Sequence, residues 1–227
     1  MWKVLPVFYA LCSAAIAQNI NSCKNVTTSG VQEKLFNTFT NTLFDKVLSS
    51  VAKSGAIDRV SLPNIVHTFE SKVIEKISAQ VGLYRGILEG LPSLTRTGNC
   101  RFEVGECGID IKTDLGAGPL KSSFVGLVRV MGFGQAVTVD ASVRELRILL
   151  GLAQTPGRQL ELTEFKVQQL RGVSVAMHGL KLLSRVFNKL SAELTNLLEE
   201  QIKNAVEKTI RKAVAEQITK LNDITFF

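Results

Sequence analysis

Two histidines, His67 and His178, and four cysteines, Cys12, Cys23, Cys100 and Cys107, are the side chains of this 227-residue chain best suited to acid–base, nucleophilic or metal chemistry. A general base must reach its nucleophile, and a zinc site needs several histidine, cysteine or carboxylate ligands at recognisable spacing. Neither pattern occurs. Nothing in the chain reads G-x-S-x-G, H-E-x-x-H or a paired C-x-x-C. Gly132-Phe133-Gly134 lacks the third glycine and the following helix of a dinucleotide loop. Gly116 and Gly118 with Lys121-Ser122 lack the spacing of a phosphate loop. His67 follows a proline connection and His178 precedes a helical segment, positions where a histidine caps or faces solvent. The sequence therefore predicts no catalytic residue, no metal and no cofactor, and it points to binding rather than turnover.

The cysteines carry information about compartment. The chain opens MWKVLPVFYALCSAAIAQN, with a basic n-region at Lys3, an apolar run from Val4 to Ile16 and an Ala-Ile-Ala cleavage signature before Gln18. Residues 1–17 read as a secretory signal peptide, and residues 18–227 as one secreted, extracellular domain. Cys12 leaves with the leader. Cys100 and Cys107 bracket RFEVGE, a strand-turn-strand pattern, so a short local disulfide between them is expected. Cys23 is then free, paired between chains in a dimer, or exchanged for one of the other two. Asn25-Val26-Thr27 is an N-glycosylation sequon in a polar segment. Loss of Lys3 lowers the formal charge from +7 to +6. The basic residues are interleaved with acids, which leaves no nucleic-acid footprint and at most a weak pull towards anionic membrane or bacterial lipid.

Three kinds of element must position whatever site exists. A first helix is expected from Val31 to Val51, with Ser29 and Gln32 as a capping box, Gly55 as a stop, and Leu35, Phe39, Leu43, Val47 and Val51 on the buried face. Pro63 marks an extended connection. From Val73 to Arg171 the pattern is strands. Val73, Ile77, Ala79, Val81, Leu83 and Ile87 share one parity, Cys100, Phe102 and Val104 alternate, and so do Ile109 and Ile111. Gly116 to Pro119 reads as a turn, Phe124 to Val128 as the start of another strand, and Thr155-Pro156-Gly157 as a second turn. Within AVTVDASVRELRILLGL the apolar parity is odd through Val143 and even from Leu146, which predicts a bulge and a bent sheet. Leu160, Leu162, Phe165 and Val167 form the last strand. Helix and strand runs kept apart predict an α+β protein with an antiparallel sheet.

The chain closes with about forty residues free of proline and glycine, a rod of roughly 60 Å. Its apolar positions from Leu183 to Leu221 recur with a mean spacing of 3.8. A coiled coil keeps its seam straight with 3.5. At 3.8 the stripe advances about 20° per step and winds more than halfway round the helix, which suits a curved sheet wrapping it. Two helices and a bent sheet with this much apolar surface either fill one core or enclose a cavity for an apolar ligand.

The segment from Leu160 to Asn222 resembles the C-terminal half of the mite group-7 allergens. Leu162, Thr163, Phe165, Val167 and Gln169 match a strand ending in an L-T-x-F-x-V-x-Q run, and Gly179-Leu180 matches the turn into the final helix. The resemblance extends diffusely over the mature chain. The Cys100 and Cys107 pair departs from that family's pattern and marks a diverged arthropod relative. The family lies in the tubular lipid-binding superfamily, with the bactericidal/permeability-increasing and the juvenile-hormone-binding and takeout proteins. The resemblance implies a super-roll, in which a curved antiparallel sheet wraps the long C-terminal helix and holds a lipid or other hydrophobic small molecule inside. Expected lining residues are Val81, Leu83, Ile109, Ile111, Phe124, Val137, Val139, Phe165, Leu190 and Leu194. Two other functions stay open: host defence through anionic bacterial lipid or membrane surfaces, and surface interaction by a packed-core protein without ligand.

Overall fold

The structure is a computed structural model that describes residues 30–70, 78–105, 108–130, 133–155, 157–179 and 184–225. The signal peptide, Cys23, Asn25, the Ser29 cap, Val73, Ile77 and Cys107 lie outside these residues. Helix α1 spans Gly30–Lys53. It is followed by β1 (Arg59–Leu62), β2 (Ile65–Glu70), β3 (Ser78–Glu89), a short 3-10 turn at Leu91–Ser93, and β4 (Thr95–Arg96). Then come β5 (Arg101–Gly105), β6 (Gly108–Ala117), β7 (Leu120–Val130), β8 (Phe133–Gln154), β9 (Glu161–His178) and helix α2 (Ser184–Thr225).

All the strands belong to one antiparallel sheet. Its backbone is a long hairpin. β6 and β7 follow one another along the same edge of β8 in unbroken register, from Ile109 opposite Gln154 to Val130 opposite Phe133. Gly116 to Pro119 is therefore not the expected turn, because the chain runs straight on. The glycine serves close approach instead: a Cβ on Gly118 would lie 2.4 Å from the carbonyl oxygen of Arg144. The parity switch in β8 is present, with Val143 and Leu146 both buried. It is shared rather than local. The buried residues of the partner edge switch from Ala117 to Leu120 at the same level, and β9 leaves Gly172, at φ +64°, unpaired opposite Arg144. The break thus crosses three neighbouring strands. Separate register shifts, at Arg147/Ile148 and Gly151/Leu152, adjust β9 against β8 lower down.

β3 holds a second irregularity that the alternation of its sequence did not predict. Its register against β7 shifts between Tyr84 and Ile87, and Arg85 stands at φ +55°. The burial parity changes there, so Leu88 enters the core where Ile87 was expected. α1 is also turned from its expected phase: Thr40, Phe44, Val47, Leu48 and Val51 are buried, while Phe39 and Leu43 are half-buried. Arg96 on β4 sets this phase by donating to both carboxylate oxygens of Asp45, at 3.2 and 3.1 Å. Asn41 adds to it by accepting the Cys100 N–H at 2.9 Å.

The long helix runs antiparallel to β9. Asn222 accepts the Leu160 N–H at 3.1 Å and donates to the Leu160 carbonyl at 3.0 Å, and Arg211 donates to the Phe165 carbonyl at 2.8 Å. Five strand residues and eleven helix residues separate these anchors, about 16 Å either way, so the two elements stay in step. α2 also packs against β1 at the other margin of the sheet. A flat sheet would hold β1 and β9, four inter-strand gaps apart, at about 19 Å. A helix about 10 Å across touches both only if the sheet curls round it. This is a super-roll, with α2 closing the gap between its margins.

Candidate functional site

The concave face of the roll is one continuous apolar interior. Of the expected lining residues, Val81 and Leu83 reach it from β3, Ile109 and Ile111 from β6, Phe124 from β7, Val137 and Val139 from β8, and Phe165 from β9. Leu194 enters from α2. These nine face the same core. Leu190 lies within α2, but its side chain is outside the described set. The sequence reading stopped the last strand at Arg171 and so missed its upper half. There Leu170, Val173, Val175 and Met177 pack half-buried against the core from β9. Their alternation was the available signal, broken for the eye by Gly172.

The buried α2 stripe is more widely and more regularly spaced than its sequence average. Leu194, Leu198, Ile202, Val206, Ile210, Val214 and Ile218 are all buried at a spacing of four. Each step of four overshoots a full turn by about 40°, so the buried line drifts about 240° over its length. The solvent-facing strip drifts with it.

Where α2 meets β1, only side chains join the two. A cleft of about 670 Å³ lies along this seam, between Arg59 to Pro63 on one side and Gln201 to Glu216 on the other. Its apolar members Val60, Leu62 and Ala213 belong to the core, so the seam leads directly inward. Its rim carries Arg59, Lys208 and Lys212. Arg59 pairs with Glu89 at 3.0 Å and Lys212 reaches Glu216 at 4.0 Å, whereas Lys208 has no carboxylate partner among the described residues. Of the expected lining set, none borders this cleft.

Cys100 is buried and free. Its expected partner, Cys107, lies outside the described residues. Burial pushes the Cys100 thiol up from its ordinary pKa, against smaller opposite pulls from the Thr113 hydroxyl and the Arg96 cation. On the surface, Glu145 is held below the usual carboxylate range, first by the hydrogen bond that Arg147 donates at 2.6 Å. Of the two histidines, His67 packs its ring edgewise on Phe69 at 4.6 Å, and His178, at the end of β9, sits 3.4 Å from Asp140. Among the described residues, no cluster of three or more histidine, cysteine or acidic side chains could hold a metal ion, and no helix is long and apolar enough to cross a membrane.

A rolled antiparallel sheet, an apolar interior and a long helix lying over the join define the class of super-roll binding folds. The sequence profile of the Group 7 allergen family matches residues 39–218, which is most of the chain, and the chain belongs to that family. A solved lipopolysaccharide binding protein superposes with a TM-score of 0.46 at 13% identity, over 76% of this chain and 37% of its own. The chain thus spans little more than a third of that protein. Takeout 1 of Epiphyas postvittana gives a TM-score of 0.40 at 14% identity, over 83% of this chain and 90% of its own. No curated protein sequence matches the chain.

Proposed function

We propose that this protein is a secreted, non-enzymatic carrier of a lipid or other apolar molecule. The ligand's apolar part lies between the sheet and α2, against the interior set that includes Val81, Leu83, Val139, Phe165 and Leu194. Its polar end lies at the β1–α2 seam. The observation that carries this reading is the seam itself: the roll is closed there by side chains alone, over core residues, beneath a basic rim. Separating α2 from β1 costs no strand pairing, so the seam is the cheapest place to admit a ligand. Burial of apolar surface supplies about 25 cal/mol per Å² before ordering costs. Lys208, which has no carboxylate partner among the described residues, favours an anionic head, such as a fatty carboxylate, over a neutral one.

Native mass spectrometry of the secreted protein tests the proposal. The expected result is a stoichiometric mass excess, released on denaturation as an identifiable lipid and lost more readily from Lys208→Glu. A bare mass, together with no uptake of a fluorescent fatty acid by the purified protein, refutes it. The same spectrum reports the N-terminal residue after processing, any glycan on Asn25 and any dimer through Cys23.

A further inference from the structure

We infer a second binding site on the outer face of the sheet, for a phosphate or sulfate ester, centred on Arg85 and Lys121. A cleft of about 700 Å³ opens on this face, on the opposite side of the sheet from the interior. The strand registers lay out its floor as two rows. One runs Ile87, Ser123, Asp140, Ala176, and the next runs Glu89, Lys121, Ser142, Ser174. The short side chains of Ser123, Ala176, Ser142 and Ser174 leave the hollow, and the β3 bulge forms one wall.

Arg85 is the one non-glycine residue at positive φ among the described residues. Its conformation is stabilised by its N–H, which donates to Asn64 Oδ1 at 3.3 Å. It is also forced by its neighbour: a Cβ on Gly86 would lie 2.2 Å from the Phe124 ring, so Gly86 faces inward and Arg85 is turned out into the cleft. Glycine or asparagine takes this backbone more cheaply than arginine. A strained position kept by a long cationic side chain, at a bulge that aims it, points to use of that side chain.

The charges around it leave Arg85 and Lys121 against one carboxylate. Glu89 is engaged by Arg59 at 3.0 Å, while Asp140 lies 3.4 Å from His178, which offsets its charge only when protonated. Arg85 and Lys121 have no carboxylate partner among the described residues. The Ser142 and Ser174 hydroxyls, 2.8 Å apart, share one hydrogen bond and keep further capacity for a ligand. A guanidinium, an ammonium and several hydroxyls facing one hollow match a tetrahedral oxyanion of more than one charge. The cleft exceeds a bare ion in size, and Ile87, Val125 and Ala176 offer apolar contact to the body that bears the ester.

The test is an amide NMR titration of the ¹⁵N-labelled full chain with sodium phosphate and sodium sulfate, against sodium chloride at matched ionic strength. Saturable shifts are expected at Arg85, Lys121, Ser123, Ser142 and Ser174, weakened at least tenfold in both Arg85→Gly and Lys121→Ala. The thermal midpoint of Arg85→Gly should be no lower than that of the parent, because glycine accepts the positive φ. Equal shifts with chloride, or parent-like titration of both variants, would mean an adventitious ion only and overturn the proposal. Glucose 6-phosphate and phosphatidic acid vesicles then separate the two sources. Arg85-dependent binding to the vesicles assigns a lipid headgroup, Arg85-dependent binding to the sugar phosphate alone assigns a soluble ester, and dependence on Arg85 for neither overturns the site.

Discussion

Replacing Leu194 and Ile218 separately with alanine tests the winding of α2. Six steps of four residues separate them, so a drift of about 240° leaves the two side chains about 120° apart round the helix, wider than the roughly 100° stripe of a simple amphipathic helix. A straight amphipathic helix would bury one and expose the other. Here both are in the core, Leu194 at 0% and Ile218 at 4% exposure. Each truncation removes a buried aliphatic side chain and leaves a cavity, at a cost of about 2–5 kcal/mol. Alanine's better helix propensity returns only a few tenths of that. For a chain of this size the loss corresponds to roughly 4–20 °C in the thermal midpoint. Glu193→Ala and Thr219→Ala, one position away on exposed sites, should stay within about 0.5 kcal/mol of the parent. Thermal and urea unfolding of delipidated protein are the assays, since bound ligand would add its own stabilisation. If Ile218→Ala melts with Thr219→Ala, the stripe runs straight and the closure of the roll by α2 is wrong.

Two other perturbations follow from close packing. Gly86→Ala places a methyl against the ring of fully buried Phe124, which cannot swing away as an exposed chain end could; a loss of about 1–3 kcal/mol is expected by urea titration, and an unchanged midpoint would contradict that contact. Cys100 should resist a thiol reagent in the folded protein and react fully in denaturant, and rapid modification under native conditions would contradict its burial. Because its folded pKa is raised, the unfolded chain releases the proton first. Its contribution to stability is therefore intact below the ordinary thiol value of 9.0 and is lost as pH rises through the higher folded value, a loss that Cys100→Ala should lack.

The α+β class, the long final helix and the winding of its stripe were legible because each rests on periodicity, which burial enforces over many residues at once. The parity switch in β8 was legible for the same reason. Its partners were not: nothing local to Gly118 or Gly172 says that they lie beside Arg144 rather than in turns, since that juxtaposition is made by register across strands. Eight of the nine placed lining residues alternate along strands and Leu194 falls on the helical stripe; that periodicity, joined to the resemblance, identifies the inward face but not a way into it. The proposed route, the β1–α2 seam, joins residues about 150 positions apart, and no spacing rule connects Val60 with Ala213. Arg85 breaks the alternation of β3, and a break in alternation does not by itself distinguish a tolerated surface charge from a bulge. It is the residue that turns the strand.

The hold of α2 on β9 bears on how the molecule behaves in company. An eighteen-residue strand at the margin of a sheet is a template on which another chain's strand can grow. Asn222 and Arg211 occupy backbone groups at Leu160 and Phe165 on that margin, and the helix body lies beside it. The same contacts that complete the container thus deny a growing aggregate its first rung. If ligand enters as proposed, α2 would loosen at β1 while the β9 anchors stay in place, so that loading and protection of the β9 edge would fall on opposite sides of one helix.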